Sequence, residues 1–329
     1  MTRKILVTGG AGYIGAHVCK ALAGASYSPV TIDDLAHGHR DAVRWGPLIA
    51  ADLADRDALA AAFATHSPSA VIHLAGFIEV GESTRDPLRF FRNNVANAIG
   101  LLEAMRTAAV GAIVFSSTAA VYGAPQSDLI DERHPTAPVS PYGETKLMVE
   151  RILAWSGVAH GLGWRALRYF NAAGADPAGE IGEDHSPETH LVPRACLAAL
   201  GKGPPLDIFG ADYPTRDGTA IRDYVHVSDL AAAHVSALDR LMAGSASGPL
   251  NLGTGRGHTV AEVIGAVEKA AGRPVPKRVS PRRQGDAPAL VANPAAARRE
   301  LGWTPLIPAL DAIVETAWRW HLCRHGGER

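Results

Sequence analysis

Apolar residues in the first half of the chain form short continuous runs that alternate with longer amphipathic stretches. The runs are 4–7, 29–32, 47–50, 70–75, 111–115 and 165–170, and the stretches with helical spacing include 55–66, 87–108 and 141–160. Strands that are apolar throughout are buried on both faces, and the helices between them supply the crossovers of a parallel sheet. The pattern therefore predicts an α/β fold with a doubly wound parallel sheet.

Beyond residue 171 this rhythm becomes less regular. Segments 172–190 and 203–218 are rich in Gly, Pro and Asp, with one short strand predicted at 206–209. A helix over 227–242 and a strand over 249–252 resume the earlier pattern. Because 329 residues are many for one hydrophobic core, two lobes are expected. We predict a main domain over 1–171, to which 225–253 returns, and a smaller C-terminal lobe within 172–329.

The first predicted strand leads into a glycine-rich turn, Gly9-x-x-Gly12-x-x-Gly15. In a dinucleotide site such glycines allow a tight turn, close approach of the backbone to a pyrophosphate and close packing of the next helix. The N-terminus of that helix offers N–H groups and a positive dipole end to the phosphates. Asp33, which ends the second strand, is suited to bind ribose hydroxyls, and the second carboxylate at Asp34 disfavours a 2′-phosphate. The main domain is thus predicted to be a Rossmann-type domain that binds NAD.

Composition and charge limit the classes of binding partner that we expect. The formal net charge is −1 and Lys and Arg are dispersed, so neither nucleic acid nor an anionic membrane is expected as a partner. No apolar run approaches the ~20 residues of a membrane-spanning helix. The three cysteines, at positions 19, 196 and 323, are scattered and odd in number, which favours reduced thiols in a cytoplasmic protein.

Candidate chemistry lies in the motif Tyr142-Gly143-Glu144-Thr145-Lys146. Positions i and i+4 share one face of a helix, so the phenol and the ammonium project together. A tyrosine with an ordinary pKa of about 10 needs nearby positive charge to act as a base near neutrality. Lys146, together with an oxidised nicotinamide ring, would supply that charge. Such a base would remove the proton of a substrate hydroxyl. Thr118, at the end of a predicted strand, offers a hydroxyl that can hydrogen-bond the oxygen of that substrate group.

Motifs along nearly the whole chain form a recognisable combination. They are Gly9-x-x-Gly12-x-x-Gly15, Ser116-Ser117-Thr118-Ala119-Ala120-Val121-Tyr122-Gly123, Pro141-Tyr142-Gly143-x-x-Lys146, Arg168-Tyr169-Phe170-Asn171, Arg222-Asp223-Tyr224-x-His226-Val227 and Arg282-Arg283-x-Gly285-Asp286. Together they resemble the extended short-chain dehydrogenase/reductase family, and within it the sugar-nucleotide epimerases. The resemblance implies NAD-dependent 4-epimerisation of a UDP-hexose through a transient 4-keto sugar, with Tyr142, Lys146 and Thr118 as catalytic residues.

The same resemblance implies which residues contact each ligand. Those expected to contact NAD are Gly9, Gly12, Tyr13, Ile14, Gly15, Asp33, Asp34, Asp52, Leu53, Leu74, Ala75, Gly76, Asn93, Lys146 and Phe170. Those expected to hold the UDP-sugar are Thr118, Tyr142, Asn171, Leu191, Phe209, Arg222, Arg283, Asp286 and Leu290. Guanidinium groups suit a diphosphate because their planar fork matches its oxygens. The lobe within 172–329 is thus expected to be mainly the UDP-sugar-binding lobe.

Three positions depart from the family pattern. Ile78 stands where some members have a cofactor-contacting lysine, Thr118 replaces a common serine but keeps its hydroxyl, and His190 replaces a common asparagine before Leu191. The resemblance also bears on Leu290. In similar epimerases the residue at this position borders the hexose 2-position, where a tyrosine excludes an N-acetyl group and a cysteine admits it. Leucine is smaller than tyrosine, so we expect UDP-glucose as the main substrate with weak activity on UDP-N-acetylglucosamine.

Alternative functions are separable by particular residues. A dehydratase of this fold is expected to carry Asp-Glu after Thr118, where this chain has Ala119 and Ala120. A 4-epimerase of another UDP-sugar, such as a UDP-N-acetylhexosamine, UDP-pentose or UDP-uronate, remains open, as does a non-catalytic module that senses NAD.

The resemblance also implies a homodimer joined through the helices at 87–108 and 141–160. Although His321, Cys323 and His325 are close in sequence, their spacing of two alternates the faces of a helix, and we expect no metal.

Overall fold

The computed structural model describes residues 2–283 and 285–326. Its strands are β1 (Lys4–Thr8), β2 (Ser28–Asp33), β3 (Leu48–Ala50), β4 (Ala70–His73), β5 (Ala112–Thr118), β6 (Gly163–Tyr169), β7 (Asn171–Ala173), β8 (Leu206–Phe209), β9 (Ile221–His226), β10 (Gly248–Leu252), β11 (Gly257–Thr259), β12 (Lys277–Ser280) and β13 (Ala289–Leu290). Its α-helices are α1 (Tyr13–Gly24), α2 (Arg56–His66), α3 (Val80–Arg85), α4 (Pro87–Phe90), α5 (Asn97–Thr107), α6 (Pro141–His160), α7 (Leu191–Ala199), α8 (Val227–Met242), α9 (Val260–Ala271), α10 (Ala295–Leu301) and α11 (Leu310–His325). Short 3-10 turns cover Arg40–Ala42 and Ala119–Val121, and a π-helical turn covers Phe91–Ala96.

Seven strands form one parallel sheet in the order β3-β2-β1-β4-β5-β6-β10. Successive side chains of each strand enter opposite layers, as β geometry requires. Ile5 and Val7 of β1 pack with α1 and α8 on one face, while Leu6 packs with α2, α5 and α6 on the other. Both faces are therefore buried, and the predicted Rossmann-type doubly wound sheet is confirmed.

The helix predicted over 87–108 is interrupted. It consists of α4, the π-helical turn Phe91–Ala96 and α5. Apolar positions repeating every three or four residues do not distinguish an α-turn from a turn widened by one residue, so periodicity could not reveal the break. By contrast, α6 and α8 have the bounds that the pattern predicts.

The smaller lobe is built on short strands. The central strand is β9, which pairs with β7, β11 and β13, while β8 pairs with β12 in a separate ribbon. The helices α7, α9 and α11 pack together under these strands around Val192, Val263 and Val314. Since β7 follows β6 after one residue, the lobe begins directly at the carboxyl edge of the main sheet. None of the helices in the described residues combines the length and apolar character of a membrane span.

Candidate active site

Helix α6 brings Tyr142 and Lys146 to the carboxyl end of β5. The side chain of Ser140 caps this helix and accepts a hydrogen bond from the Gly143 N–H at 3.2 Å. A Cβ at Gly143 would lie 2.6 Å from the carbonyl oxygen of Ala120, so glycine permits the first turn of α6 to approach the turn after Thr118. The Tyr142 phenol and the Thr118 hydroxyl consequently hydrogen-bond to each other.

Lys146 is buried beside this pair. Its Nζ donates a hydrogen bond to the backbone oxygen of Ser116 at 2.9 Å. The ammonium lies 4.9 Å from the centre of the Phe115 ring and 6.0 Å from the centre of the Tyr142 ring. Burial disfavours the charged form and lowers the pKa of Lys146 to about 8. Since a Cβ at Gly76 would lie 3.6 Å from this Nζ, the backbone after β4 also reaches the site.

The Tyr142 phenol is held in its neutral form by the protein alone. Burial raises the pKa of Tyr142 to about 12; the Thr118 hydrogen bond lowers this pKa and the Glu79 carboxylate raises it. From the sequence, we expected Lys146 and an oxidised nicotinamide ring together to lower the pKa of Tyr142. Lys146 by itself does not achieve it, because its ammonium is 6.0 Å from the ring centre and is engaged with Ser116. Activation of the phenol therefore requires further positive charge.

Asn94, which the sequence analysis did not single out, ties the loop after β4 to helix α6. Its Oδ1 accepts a hydrogen bond from the Phe77 N–H at 2.8 Å, and its Nδ2 donates to the Phe77 carbonyl at 3.0 Å and to Thr145 Oγ1 at 3.1 Å. Nδ2 of Asn93, an expected NAD contact, donates to Asn94 Oδ1 at 3.0 Å. Both asparagines belong to the π-helical turn, which is a common device at functional sites. Two adjacent amides within an otherwise apolar helical pattern were the available signal.

A buried polar network supports β5 and β6 from behind. Arg168 on β6 donates from Nε to Glu150 Oε1 at 2.9 Å and from Nη1 to the Tyr122 hydroxyl at 2.9 Å. The Ser117 hydroxyl also donates to Glu150, and the Tyr122 hydroxyl donates to Asn251 Oδ1 at 2.6 Å. The network joins α6, β5, β6 and β10, so it fixes the strand ends that carry Thr118 and Phe170. Sequence spacing gave no indication of it because its members are far apart in the chain.

The glycine turn has the shape that a dinucleotide needs. Gly9 has a φ of +72°, and a Cβ there would lie 2.7 Å from the Ala75 nitrogen. A Cβ at Gly15 would lie 2.0 Å from the Gly9 carbonyl oxygen, so packing within the chain requires both glycines. A Cβ at Gly12 would meet only the Gly9 oxygen, at 3.4 Å. Internal packing thus does not explain Gly12, whereas close approach of a pyrophosphate does.

Asp33 is fixed at the end of β2 and 9% exposed. Its Oδ2 accepts a hydrogen bond from the Ala11 N–H at 3.0 Å, and its Oδ1 accepts one from the Leu35 N–H at 2.9 Å. Each oxygen retains a lone pair for a ribose hydroxyl. Asp34 is exposed beside it and accepts a hydrogen bond from the Ala36 N–H at 2.9 Å. The pair of carboxylates suits a free ribose better than a 2′-phosphate.

The other expected NAD contacts follow the ends of the parallel strands or begin α1. They are Tyr13 and Ile14 at the start of α1, Asp52 and Leu53 after β3, Leu74, Ala75 and Gly76 after β4, and Phe170 after β6. Because these strands are parallel, all of these residues lie at the edge that carries Tyr142 and Lys146. Ile78 stands where some family members have a lysine. Its N–H donates to the carboxylate of Glu79 at 3.2 Å, and the charge of Glu79 raises the pKa of Tyr142.

Arg222 and Asp286 form an ion pair in the smaller lobe. Arg222 Nη2 bonds to Asp286 Oδ1, and Nη1 donates to the Ala287 carbonyl at 2.9 Å. The side chains of Arg222 and Asp286 are 13% and 29% exposed, so the guanidinium is anchored while its remaining donors stay accessible. A preorganised guanidinium of this kind can bind phosphate oxygens at a small cost in conformational entropy.

Arg283 lies over the ring of Phe209, with its guanidinium carbon 3.9 Å from the ring centre. Burial and the guanidiniums of Arg194 and Arg222 lower the pKa of Arg283, while Asp286 raises it. The expected substrate residues Phe209, Arg222, Arg283 and Asp286 are thus brought together. An excess of positive charge around one aromatic face suits a nucleoside diphosphate.

The remaining expected substrate residues lie around this group. Asn171 on β7 pairs with Tyr224 of β9, and Leu290 on β13 pairs with Arg222 of β9. Leu290 and Phe170 are partly buried against a cluster that includes Ala119 and Tyr122. Leu290 therefore lies between the turn after Thr118 and Arg222. Leu191 begins α7, the helix that also carries Arg194.

Comparison with known proteins extends over both lobes. A family model described as the NAD dependent epimerase/dehydratase family matches residues 5–253. The chain is 52% identical over 324 residues to the UDP-glucose 4-epimerase of Rhizobium meliloti (strain 1021), covering 98% of each. The structure of UDP-glucose 4-epimerase from Brucella ovis in complex with NAD is similar, with a TM-score of 0.95, 46% identity and 99% coverage of both chains. The enzyme from Bifidobacterium longum in complex with NAD+ and UDP gives a TM-score of 0.93 at 36% identity, covering 99% of this chain and 100% of that one.

Proposed function

Because the chain belongs to the NAD dependent epimerase/dehydratase family, we propose that it is an enzyme that interconverts UDP-glucose and UDP-galactose by epimerisation at C4. The observation that carries this proposal is the convergence of Tyr142, Thr118 and Lys146 at the sheet edge that also holds the dinucleotide turn. A proton acceptor beside a nicotinamide site is the arrangement that oxidation of a sugar hydroxyl requires.

In the proposed mechanism, Tyr142 takes the proton of the sugar 4-hydroxyl, and Thr118 positions that oxygen. When bound at the dinucleotide turn, NAD would supply reversible hydride transfer at C4, with return of the hydride to the opposite face of the 4-keto sugar. Lys146 contributes fixed positive charge near the phenol, which must become a better base than burial alone allows. When the hydride returns, the Tyr142 phenol donates the proton back, so neither acid nor base is consumed.

The UDP moiety would be held in the smaller lobe. Arg222 and Arg283 would bind the diphosphate, Asp286 a sugar or ribose hydroxyl, and Phe209 an aromatic face of the nucleoside. Asn171 and Leu191 would complete the pocket. Holding the nucleotide rather than the hexose leaves the 4-keto sugar free to turn between the two hydride transfers.

Dehydration and non-catalytic sensing fit the residues less well. In the turn after Thr118, Ala119 and Ala120 offer no acid or base to remove water. A sensor of NAD has no need of a phenol bonded to Thr118 and a buried ammonium together. Other UDP-sugars remain alternatives to UDP-glucose as substrates, and a substrate assay separates them.

The decisive assay incubates the protein with a panel of UDP-sugars and resolves the products by chromatography. We expect UDP-galactose and UDP-glucose to interconvert without added reductant. Tyr142→Phe removes one oxygen atom and should lower kcat by about 10²–10⁴-fold while NAD and UDP still bind. Turnover of no UDP-sugar, or a variant that retains more than about a tenth of the wild-type kcat, would contradict the assignment.

We further propose that two copies pair through α4, α5 and α6. Trp155 and Val158 on α6 are 73% and 80% exposed, and Leu88 on α4 is 66% exposed. Large apolar side chains exposed on these helices favour association of copies through one self-complementary face. The free cysteines Cys19, Cys196 and Cys323 support our proposal that the enzyme works in the reducing cytoplasm, which cell fractionation would test.

A further inference from the structure

Four side chains with metal-ligating groups converge in the loop before α7. Glu183, His185, Glu188 and His190 place their ligand atoms within 4.8 Å of one another. Nδ1 of His185 lies 3.3 Å from Glu183 Oε1 and 3.6 Å from Glu188 Oε2. Nδ1 of His190 lies 2.8 Å from Glu183 Oε1 and 3.2 Å from Glu188 Oε1. A tetrahedral ion with bonds of about 2.0–2.2 Å holds its ligands about 3.3–3.6 Å apart. The two separations from His185 lie in this range, and the two from His190 are shorter, so the carboxylates would move slightly apart on binding an ion.

We propose that Glu183, His185, Glu188 and His190 bind a divalent transition metal of the zinc class as a structural site. The donor set is two imidazole nitrogens and two carboxylate oxygens, which suits Zn²⁺ and disfavours the all-oxygen, octahedral Mg²⁺. Four protein ligands close the coordination sphere, as in structural rather than catalytic sites. The proposal goes beyond the epimerase chemistry and does not depend on it.

Burial of the unpaired atoms supports the site independently of the spacing. The side chains of Glu183 and Glu188 are 5% and 7% exposed. His185 Nδ1 and Glu188 Oε2 are buried and lie 3.6 Å apart, and neither atom makes a hydrogen bond of good geometry with a described residue. Buried polar atoms normally have partners because desolvation without one is costly. A metal ion at the centre of the cluster would supply the missing partner of both atoms.

Surrounding contacts would hold the ligands in place. Glu188 Oε1 accepts hydrogen bonds from the N–H groups of Thr189 and His190 at 2.7 and 2.8 Å, which fixes this carboxylate. The carbonyl of Glu183 accepts a hydrogen bond from Trp320 Nε1 at 2.9 Å. A cavity of about 350 Å³ borders His185, one of the four ligands.

The competing account is a cluster of ion pairs. Burial would lower the pKa of His185, but the adjacent carboxylates of Glu183 and Glu188 outweigh it and raise this pKa to about 9. For His190 the same balance raises the pKa to about 10. Two imidazolium rings would then lie with centroids 5.4 Å apart. The accounts differ in a measurable way, because metal binding needs neutral imidazoles and releases protons.

The proposed metal site lies beside the start of α1, next to the dinucleotide turn. The ring of His185 meets the Tyr13 ring edge to face at a centroid distance of 6.3 Å, and the Tyr13 hydroxyl donates to the Gly174 carbonyl at 2.6 Å. Tyr13 follows the glycine turn at the start of α1. A bound ion would therefore brace the loop of the smaller lobe against the dinucleotide turn.

The test is titration of the purified full-length protein, stripped with EDTA, with ZnCl₂ in a calorimeter. Cys323→Ser is the matched control, because the exposed thiol of Cys323 is the obvious place for adventitious zinc. Wild type and Cys323→Ser should each bind one zinc per chain with release of protons, and MgCl₂ should not compete. His185→Gln/His190→Gln should bind zinc more than about 100-fold more weakly, since it loses two ligands.

X-ray absorption at the zinc edge of the wild type keeps the test decisive even where the variant fails to fold. We expect four nitrogen and oxygen ligands at about 2.0–2.2 Å, with two imidazoles and no sulfur. No zinc bound at micromolar concentration, sulfur in the coordination shell, or undiminished binding in a folded double variant would each overturn the proposal.

Discussion

Lys146 is a cationic side chain that the fold buries at a cost in stability. Its pKa is about 8 in the folded protein against about 10.4 in an unfolded chain. The folded state therefore binds fewer protons between these values, so the free energy of unfolding rises as pH increases from about 8 to 10.4. Below pH 8 burial of the ammonium lowers the free energy of unfolding by on the order of 3 kcal/mol.

We expect Lys146→Met to be more stable than the wild type at pH 7, by roughly 1–3 kcal/mol after loss of the hydrogen bond to the Ser116 carbonyl. The advantage should shrink towards pH 10, and epimerase activity should fall. Urea unfolding of NAD-free proteins at both pH values measures this, with the exposed Lys202→Met as the control. A variant that is less stable at pH 7, by an amount independent of pH, would refute the assignment.

Leu290 is the residue that we expect to set sugar preference. It lies between the Ala119–Tyr122 cluster and Arg222, where a larger side chain would reduce the space near the hexose. Leu290→Tyr should selectively reduce kcat/KM for UDP-N-acetylglucosamine, by about 10–200-fold, relative to UDP-glucose. The ratio of the two kcat/KM values in both proteins is the measurement. An unchanged ratio would mean that Leu290 is only a packing residue.

Individual residues differ in how far the sequence could identify them. Tyr142 and Lys146 are four apart on a predicted helix, so local spacing was sufficient. The network of Glu150 with Arg168 joins separate elements, which local spacing does not reveal. Segment 183–190 does contain all four proposed metal ligands, yet the expectation of no metal considered only the terminal helix. Because segment 183–190 is an irregular loop, it has no periodicity from which the convergence of these four side chains could be predicted.

Among the elements, the first turn of α6 controls how closely Tyr142 approaches Thr118. Gly143→Ala would place a methyl group 2.6 Å from the Ala120 oxygen, so the helix must shift away. We expect kcat to fall at least about tenfold, since small displacements of catalytic groups are costly. Gly265→Ala is the matched control, because it is helical and its Cβ would meet no atom within 4 Å. It should leave kcat unchanged, and steady-state kinetics of the two variants decide; equal activities would contradict this role of Gly143.

Regular elements with strong patterns were predicted well, and irregular ones were not. The bounds of α6 and α8 agree with the pattern because each helix carries one apolar face over many turns. The π-helical turn at Phe91–Ala96 was missed, since it is stabilised by tertiary hydrogen bonds of Asn94 to Phe77 and Thr145. Widening of one helical turn leaves no trace in the spacing of apolar residues.

At the scale of the whole molecule, the parallel sheet followed from uninterrupted apolar strands alternating with helices. The return of the chain to this sheet through β10 was also visible, because residues 249–252 repeat the same pattern. The pairing of β7, β11 and β13 around β9 was not predicted. Strands of two or three residues are too short to show alternation, and their partners are distant in sequence.

Association of two copies is the prediction that belongs to the whole molecule. Trp155→Glu places a charge in the proposed interface and should weaken the dimer at least about tenfold. Leu306→Glu is the control, because Leu306 is 85% exposed but lies outside the proposed interface. Sedimentation at micromolar concentration should show dimers for the wild type and the control and monomers for Trp155→Glu. A monomeric wild type, or a dimeric Trp155→Glu, would contradict the interface.

A 4-epimerase returns the hydrogen that it removes from C4 to the same carbon. The most direct test supplies UDP-galactose deuterated at C4 to the enzyme in ordinary water and measures deuterium in the UDP-glucose formed by mass spectrometry. We expect the deuterium to be retained over many turnovers and free NADH not to accumulate. Loss of the deuterium from the product, or one NADH released per sugar oxidised, would contradict it.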